Sequence, residues 1–269
     1  MPGCLRILFV AVLAAALAGG AAAAPATLSA QAAADEKIVR EVWAAGTFEV
    51  TARRHDALLK VLDHAPAHYP SVEQISPTVT VVRAQDSSEA MALMLVAAAG
   101  AKGAHMEVVE EFNIYPTAAF LLGSEAVEKN RPQEALVFLD RGLALQPDNP
   151  ILLNEKAAAF EALHQPAQAL ATLEPWLSTE HIGAERTRAR LLRGKGFALT
   201  ELDRLDEAEA AYNESLKAEP GHPGAQAELK YIAGIRSGQA RGAVGLQTSD
   251  KALAGEPVKP LPPPGQPNP

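Results

Sequence analysis

Gln133-Glu134-Ala135-Leu136, Gln168-Ala169-Leu170 and Asp206-Glu207-Ala208 can be laid over one another, and each opens a helix that follows another apolar helix by a short polar turn. The overlay continues at the exits, where Leu145-Gln146-Pro147-Asp148-Asn149-Pro150 matches Ala218-Glu219-Pro220-Gly221-His222-Pro223. With Ala135, Ala169 and Ala208 taken as equivalent, the spacings are 34 and 39 residues. A helical hairpin recurring at that length predicts a stacked solenoid, because one hairpin cannot bury its apolar face alone. Such a stack presents a surface, so the repeat argues for binding before it argues for chemistry.

Upstream of the repeats the pattern changes. Residues 35–65 read as two amphipathic helices broken near Gly46-Thr47, with Ile38, Val42 and Ala45 on one face of the first and Leu58, Val61, Leu62 and Ala65 on one face of the second. Pro66 and Pro70 stop the second helix. Thr78-Val79-Thr80-Val81-Val82 is β-branched throughout and predicts a buried strand. Asp86, with Glu89 three residues on, reads as the capping box of a helix running through Met91, Leu93, Met94 and Leu95 to Gly100. His105 to Phe112 reads as a second strand. Two strands cannot bury a sheet, so this strand–helix–strand unit must find a third strand or lean on its neighbours.

The two ends differ from the middle. Arg6, the uncharged apolar run Ile7–Ala18 and the alanines around Gly19-Gly20 form the pattern of a signal peptide over residues 1–30, with exits after Ala23, Ala26 or Ala30. The uncharged stretch from Ile7 to Ala34 is also long enough to span a bilayer, so an uncleaved inner-membrane anchor is the rival reading. Cleavage leaves a periplasmic or secreted protein. After Ser237 the composition shifts to Gly, Ala and Pro, and seven of the thirteen residues from Pro257 onward are proline, which reads as a disordered tail over 237–269.

Composition narrows the chemistry. The chain has 269 residues, 48% hydrophobic but only 5% aromatic, so its core is built from Leu, Val and Ala. Its one cysteine, Cys4, leaves with a cleaved signal, which removes disulfides, thiolate nucleophiles and Cys-based metal sites from the exported protein. Without Arg6, 23 basic residues face 32 acidic ones, a net charge of −9 that disfavours nucleic acid and anionic membranes as partners. His55, His64 and His68 lie near Asp56 and Asp63, but Pro66 interrupts the helix between the last two histidines and no HExxH accompanies them, so a structural role is expected. No glycine-rich phosphate loop, dinucleotide turn or G-x-S-x-G elbow is present.

The hairpins resemble tetratricopeptide repeats, which place small residues at positions 8 and 20, a large residue at 24 and Pro at 32. With position 1 at Pro116, Pro150 and Ala189, position 8 is Gly123, Ala157 and Gly196; position 20 is Ala135, Ala169 and Ala208; position 24 is Leu139, Leu173 and Tyr212. Position 32 is Pro147, His181 and Pro220. The second repeat departs from the pattern: Pro175 is expected to cut its second helix short, and five extra residues precede Ala189. Gly224 to Arg236 covers the last hairpin, with Ala225, Leu229, Ile232 and Ile235 inward and Glu228, Lys230 and Arg236 wet. The expected fold is therefore mainly α: a tetratricopeptide-like solenoid of three hairpins plus a capping helix over 116–236, preceded by a small mixed α/β region over 31–115.

The resemblance implies a concave groove lined by positions 2, 5, 9 and 12 of each first helix. These are Thr117, Phe120, Ser124 and Val127; Ile151, Asn154, Ala158 and Glu161; and Arg190, Arg193, Phe197 and Thr200. The family's carboxylate clamp wants Lys and Asn where Phe120 and Ser124 stand and Asn where Glu155 stands, so only Arg190 matches it. Phe120, Val127, Asn154, Arg190, Arg193 and Phe197 are the candidate partner-binding residues, apolar at one end and basic at the other. Arg186, Arg190 and Arg193 share a helical face, which suits an acidic segment of a protein or peptide partner. The resemblance implies an adaptor in an envelope complex, with no catalytic residue, metal or cofactor of its own. Two alternatives stand beside it: an enzymatic or metal-binding activity in residues 35–115 that the repeats only recruit for, and a membrane-anchored subunit that self-assembles through Phe120 and Val127.

Overall fold

The computed structural model describes residues 28–100 and 106–238; the signal-peptide reading of residues 1–27 and the tail reading beyond 238 lie outside them. Two compact units divide the chain: residues 1–122 with 141–149, and residues 123–140 with 150–269.

The first unit opens with α1 (Ala30–Ala45) and α2 (Phe48–Asp63), separated where the sequence places the break. Ser29 caps α1 by accepting from the Ala32 N–H at 3.1 Å, Gly46 ends it in the left-handed region at φ 60°, and Thr47 caps α2. Those three residues are the start and stop signals that helix termini require. Val39, Val42, Leu58, Val61 and Leu62 are buried, which is the apolar stripe of each helix turned inward.

The third strand exists. β1 (Val72–Ser76) pairs antiparallel with β2 (Val79–Ala84), with an irregularity between Gln74 and Ser76. α3 (Ser87–Gly100) follows, and β3 (Glu107–Phe112) then runs parallel to β2, Val79 opposite Glu107 through Ala84 opposite Phe112. The sheet order is β1-β2-β3, so the β-branched β2 is central and five of its six residues are buried. Arg83 on β2 is buried and satisfied on both sides, by Glu73 of β1 at 2.8 Å and Glu111 of β3 at 3.0 Å. The capping box forms as well: Asp86 Oδ1 accepts from Ser88 and Glu89 N–H, and Glu89 accepts from the Gln85 N–H at 2.6 Å.

α4 (Ile114–Glu128) and α5 (Pro132–Leu145) form the first hairpin of the repeat region and belong partly to each unit. The second unit continues with α6 (Pro150–Ala162), α7 (Pro166–Leu177), α8 (Glu185–Glu201), α9 (Leu205–Ala218) and α10 (Pro223–Arg236). Here α6 pairs with α7 and α8 with α9; α7 packs on α8, α6 on α8, and α10 on α9 and α8. The small-against-large rule is visible at the crossings. A Cβ added at Gly123 would stand 2.7 Å from Leu139, and one at Gly196 2.8 Å from Tyr212. Ala135, Ala169 and Ala208 are fully buried. Glycine permits a helix approach that any side chain would prevent.

Pro175 does not end α7 at once, although α7 has 12 residues where α5 and α9 each have 14. The helix runs through it to Leu177, because Trp176 and Leu177 are both buried and anchor the last turn. The carbonyl that Pro175 leaves without an N–H partner belongs to Ala171, an exposed residue, so water can serve it. Among the described residues no helix is long and apolar enough to cross a membrane.

Candidate functional site

The first helices of the second and third hairpins, α6 and α8, lie side by side in the second unit, and their register brings two of the expected residues close. Gly194 on α8 sits against α6: a Cβ there would lie 3.5 Å from Asn154 Oδ1 and 3.0 Å from Leu173. Arg190 is one turn before Gly194 and Phe197 one turn after it. Phe197 is half-buried and outside the hydrophobic cluster that fills this unit. An apolar ring outside the core, next to an amide and a cation, is ligand-accepting surface.

The basic residues of α8 divide by what they already hold. Arg188 donates to the Leu177 carbonyl at 2.8 Å and pairs with Glu214 at 3.4 Å, which pins the α7–α8 connection. Arg193 pairs with Glu219 at the end of α9, and Lys195 stands 3.8 Å from Glu174. Arg193 is therefore engaged within its own hairpin, by the exit of α9. Arg190 and Arg186 are exposed and make no ion pair among the described residues.

Other expected groove residues are also placed differently. Phe120 belongs to the first unit, where its ring meets Trp43 of α1 edge-on at 5.9 Å. Thr117, in the same unit, is fully buried and donates to the Asn113 carbonyl. Val127 is half-buried on the last turn of α4, in the second unit. Of the candidate residues in the second unit, Arg190 and Phe197 flank Gly194 on α8, and Gly194 faces Asn154 of α6.

At the opposite end of α8 lies a group that sequence reasoning missed. Glu161 ends α6, Thr200 and Glu201 end α8, Tyr212 comes from α9 and Glu228 from α10. Glu161 is only 8% exposed and Tyr212 only 2%. Glu161 Oε1 and Glu228 Oε2 have no hydrogen-bond partner among the described residues, and the Tyr212 hydroxyl faces Thr200. Glu228, expected to be wet, is instead half-buried. The signal was present: positions 225, 228, 229 and 232 share one helical face, so Glu228 rides on the inward stripe. Burial, reinforced by Glu201, pushes the Glu161 carboxyl up to about 8 and the Glu228 carboxyl up to about 7. Burial also raises the Tyr212 hydroxyl, with Glu228, Glu161 and Glu201 adding to it and Thr200 opposing it.

These shifts carry a sign. Each carboxyl binds its proton more tightly in the folded chain than at its ordinary value of 4.5, so the contribution of these two groups to stability is fully present below about pH 4.5 and is lost as pH rises through 7 to 8. Glu161→Gln is expected to match the wild type in thermal midpoint at pH 5 and to exceed it by about 3 °C or more at pH 8.5. Thermal unfolding by circular dichroism at both pH values checks this; equal midpoints at pH 8.5 contradict it.

In the first unit, His64 caps the end of α2 and reaches α1. Its Nδ1 is 3.1 Å from both carboxylate oxygens of buried Asp35 and 3.2 Å from Gln31 Nε2. His68 lies 3.9 Å from Glu73 instead. Among the described residues no group of three His, Cys, Asp or Glu side chains is placed to hold a metal ion.

The antiparallel pairs, the small-on-large crossings and the covering helix together define the architecture. The fold is of the tetratricopeptide type. No family model and no curated protein matches the sequence. Solved structures similar to it include the first TPR domain of the human RPAP3 protein, at 23% identity over 46% of this chain and 93% of that one, with a TM-score of 0.42. The first TPR of Spaghetti (RPAP3), bound to HSP90 peptide SRMEEVD, is similar at 23% identity over 45% of this chain and 93% of that one, TM-score 0.41. The Sgt2 TPR domain from Aspergillus fumigatus follows at 19% identity over 52% and 93%, TM-score 0.41.

Proposed function

We propose that this chain is an exported adaptor that docks a peptide segment of a partner protein along α6 and α8, without chemistry of its own, in the assembly of a cell-envelope complex. The observation that carries the docking reading is the state of Arg190. Every basic neighbour on its helix from Arg188 to Lys195 is engaged by a carboxylate, whereas Arg190 is exposed and unengaged beside Asn154 and half-buried Phe197. An unscreened arginine with its donor fork free, next to an apolar ring, suits an acidic residue followed by an apolar one. The exported location rests on Arg6 and the apolar run behind it.

The test is selection from a library of displayed twelve-residue peptides by the wild type and by Arg190→Glu. The wild type is expected to enrich segments with an acidic residue at a fixed place. The reversed variant is expected to lose that preference, with at least tenfold weaker binding of the wild-type winners in fluorescence anisotropy. Reversing Arg193 as well would break its tie to Glu219 and confuse binding with folding, so the single substitution is the informative one. Identical enriched sets from the two proteins would remove Arg190 and its face from consideration.

A further inference from the structure

Gln31 near the start of α1 meets His64 at the end of α2, and Glu41 near the end of α1 meets Arg54 in α2, so the two helices run antiparallel. A cleft of about 510 Å³ opens along their seam. Ala34 and Ile38 of α1 and Ala57 of α2 give it apolar walls. Arg53, Ala57, Lys60 and His64 also line it and form one stripe of α2, because their spacings of four, three and four residues follow the helical turn. A recess that is partly apolar and carries a few convergent polar groups is how small-ligand sites are built.

The polar groups of the cleft divide by what they already hold. Asp35 is 1% exposed, and its carboxylate is held by His64 Nδ1 at 3.1 Å and Gln31 Nε2 at 3.0 Å. Arg54 is engaged by Glu41 at 2.5 Å. Arg53 and Lys60 are exposed and make no ion pair among the described residues. Asp56 is the one lining carboxylate left without a cation. Because a buried carboxylate fixes the His64 ring through Nδ1, its Nε2 is left for something outside the protein. Arg53 and Lys60 stand two turns apart, roughly 10 Å along the axis, with only the methyl group of Ala57 between them on the stripe. The gap over Ala57 is therefore flanked by a guanidinium on one side and an ammonium on the other.

We propose that the cleft between α1 and α2 binds a soluble phosphate monoester, its head group over Ala57 between Arg53 and Lys60 and its organic part against Ala34 and Ile38. A phosphate dianion matches two cations that approach from opposite sides, whereas a carboxylate offers one charge and a single plane of acceptors. His64 lies one turn beyond Lys60, near enough for Nε2 to contact the same ligand. The net charge of −8 works against an anionic lipid surface, which leaves a soluble ester as the source. The site lies within the first unit and does not depend on the docking reading of α6 and α8.

Phenyl phosphate serves as the probe, titrated into the full chain labelled with ¹⁵N in its histidine rings and followed by NMR at about pH 7.5, where the ester is a dianion. Sodium sulfate and sodium benzoate at matched ionic strength are the controls. The His64 ring resonances are expected to shift saturably, while those of His68, outside the cleft and beside Glu73, stay in place. Arg53→Gln and Lys60→Gln, both at exposed positions, are each expected to weaken binding at least about fivefold. Ala57→Leu keeps every charge and fills the gap between them, so it is expected to abolish binding in a chain that stays folded by circular dichroism. Unchanged binding by that folded variant overturns the proposal, because charge attraction without a shaped cleft would explain it. A His64 response no larger than that to sulfate overturns it too, and so does equal affinity for benzoate, which would make this a general anion surface. Retention on phosphatidylcholine vesicles containing phosphatidic acid, lost in Lys60→Gln, would replace the soluble ester by a lipid headgroup.

Discussion

Tyr212→Ala is expected to cost about 3–5 kcal/mol of folding stability, the range for deleting a large buried aromatic side chain. Tyr212 is the large residue of the third hairpin's crossing, packed where Gly196 leaves room: a Cβ at 196 would stand 2.8 Å from its ring. Gly196→Ala alone is accordingly expected to cost about 1–3 kcal/mol through overpacking. The two should not add. With the ring removed, Gly196→Ala meets open space, and its cost falls to near zero or reverses because alanine is the better helix former. Urea unfolding of the two single variants and the double variant gives the coupling directly. Costs that add to within about 0.5 kcal/mol would mean that these residues do not meet, and the third hairpin would not be closed as described.

Tyr212→Phe separates packing from polarity. The ring stays and only the buried hydroxyl beside Thr200 goes, so stability is expected to stay within about 1 kcal/mol of the wild type, far from the cost of Tyr212→Ala.

Much of this hairpin was legible in the sequence because its determinants are local and repeat. Small residues at 123, 135, 169, 196 and 208 and large ones at 139, 173 and 212 stand at fixed separations, and separations survive without coordinates. Gly46, Thr47 and the Asp86–Glu89 pair were legible for the same reason, since caps act within four residues. β1 was not. Val72-Glu73-Gln74-Ile75-Ser76 has weak alternation, and its strand character comes from pairing with β2, whose β-branched run needs a partner on each side.

The candidate site shows the same division. Arg190 could be picked out because exposure on a helix face follows from period alone. That Arg193 is tied to Glu219, 26 residues on, could not, since it depends on how α8 and α9 pack within the third hairpin. Glu161 was placed on the groove face but passed over as a site. Its significance comes from Tyr212 and Glu228, which no spacing rule links to it. Acidic residues in a chain of net charge −8 are too common to stand out until burial marks Glu161 and Glu228.

Gln146→Ala is expected to cost at least about 3 kcal/mol, although Gln146 reads in the sequence as a polar residue at a hairpin exit. It is 1% exposed. Its Oε1 accepts from Asn113 Nδ2 at 3.0 Å and Asn149 Nδ2 at 2.9 Å, while its Nε2 donates to Asn113 Oδ1 at 3.0 Å and to the Tyr69 carbonyl at 3.2 Å. Four bonds use the full capacity of one amide. They tie the end of α5 to the residue that leads into α4 and to the segment before β1, all within the first unit. The Tyr69 hydroxyl extends the network by donating to the Phe112 carbonyl at 3.1 Å and accepting from the Ile114 N–H at 3.3 Å. Truncation leaves Asn113 and the Tyr69 carbonyl buried without that partner, and such orphaned groups cost about 1–3 kcal/mol each. Gln146→Met keeps nearly the same volume, so it tests whether hydrogen bonds or packing decide the outcome. The methionine variant is expected to lose nearly as much as the alanine one, measured by urea unfolding of the full chain. If methionine stays within about 1 kcal/mol of the wild type, filling the space is what matters and the amide network does not hold these segments together.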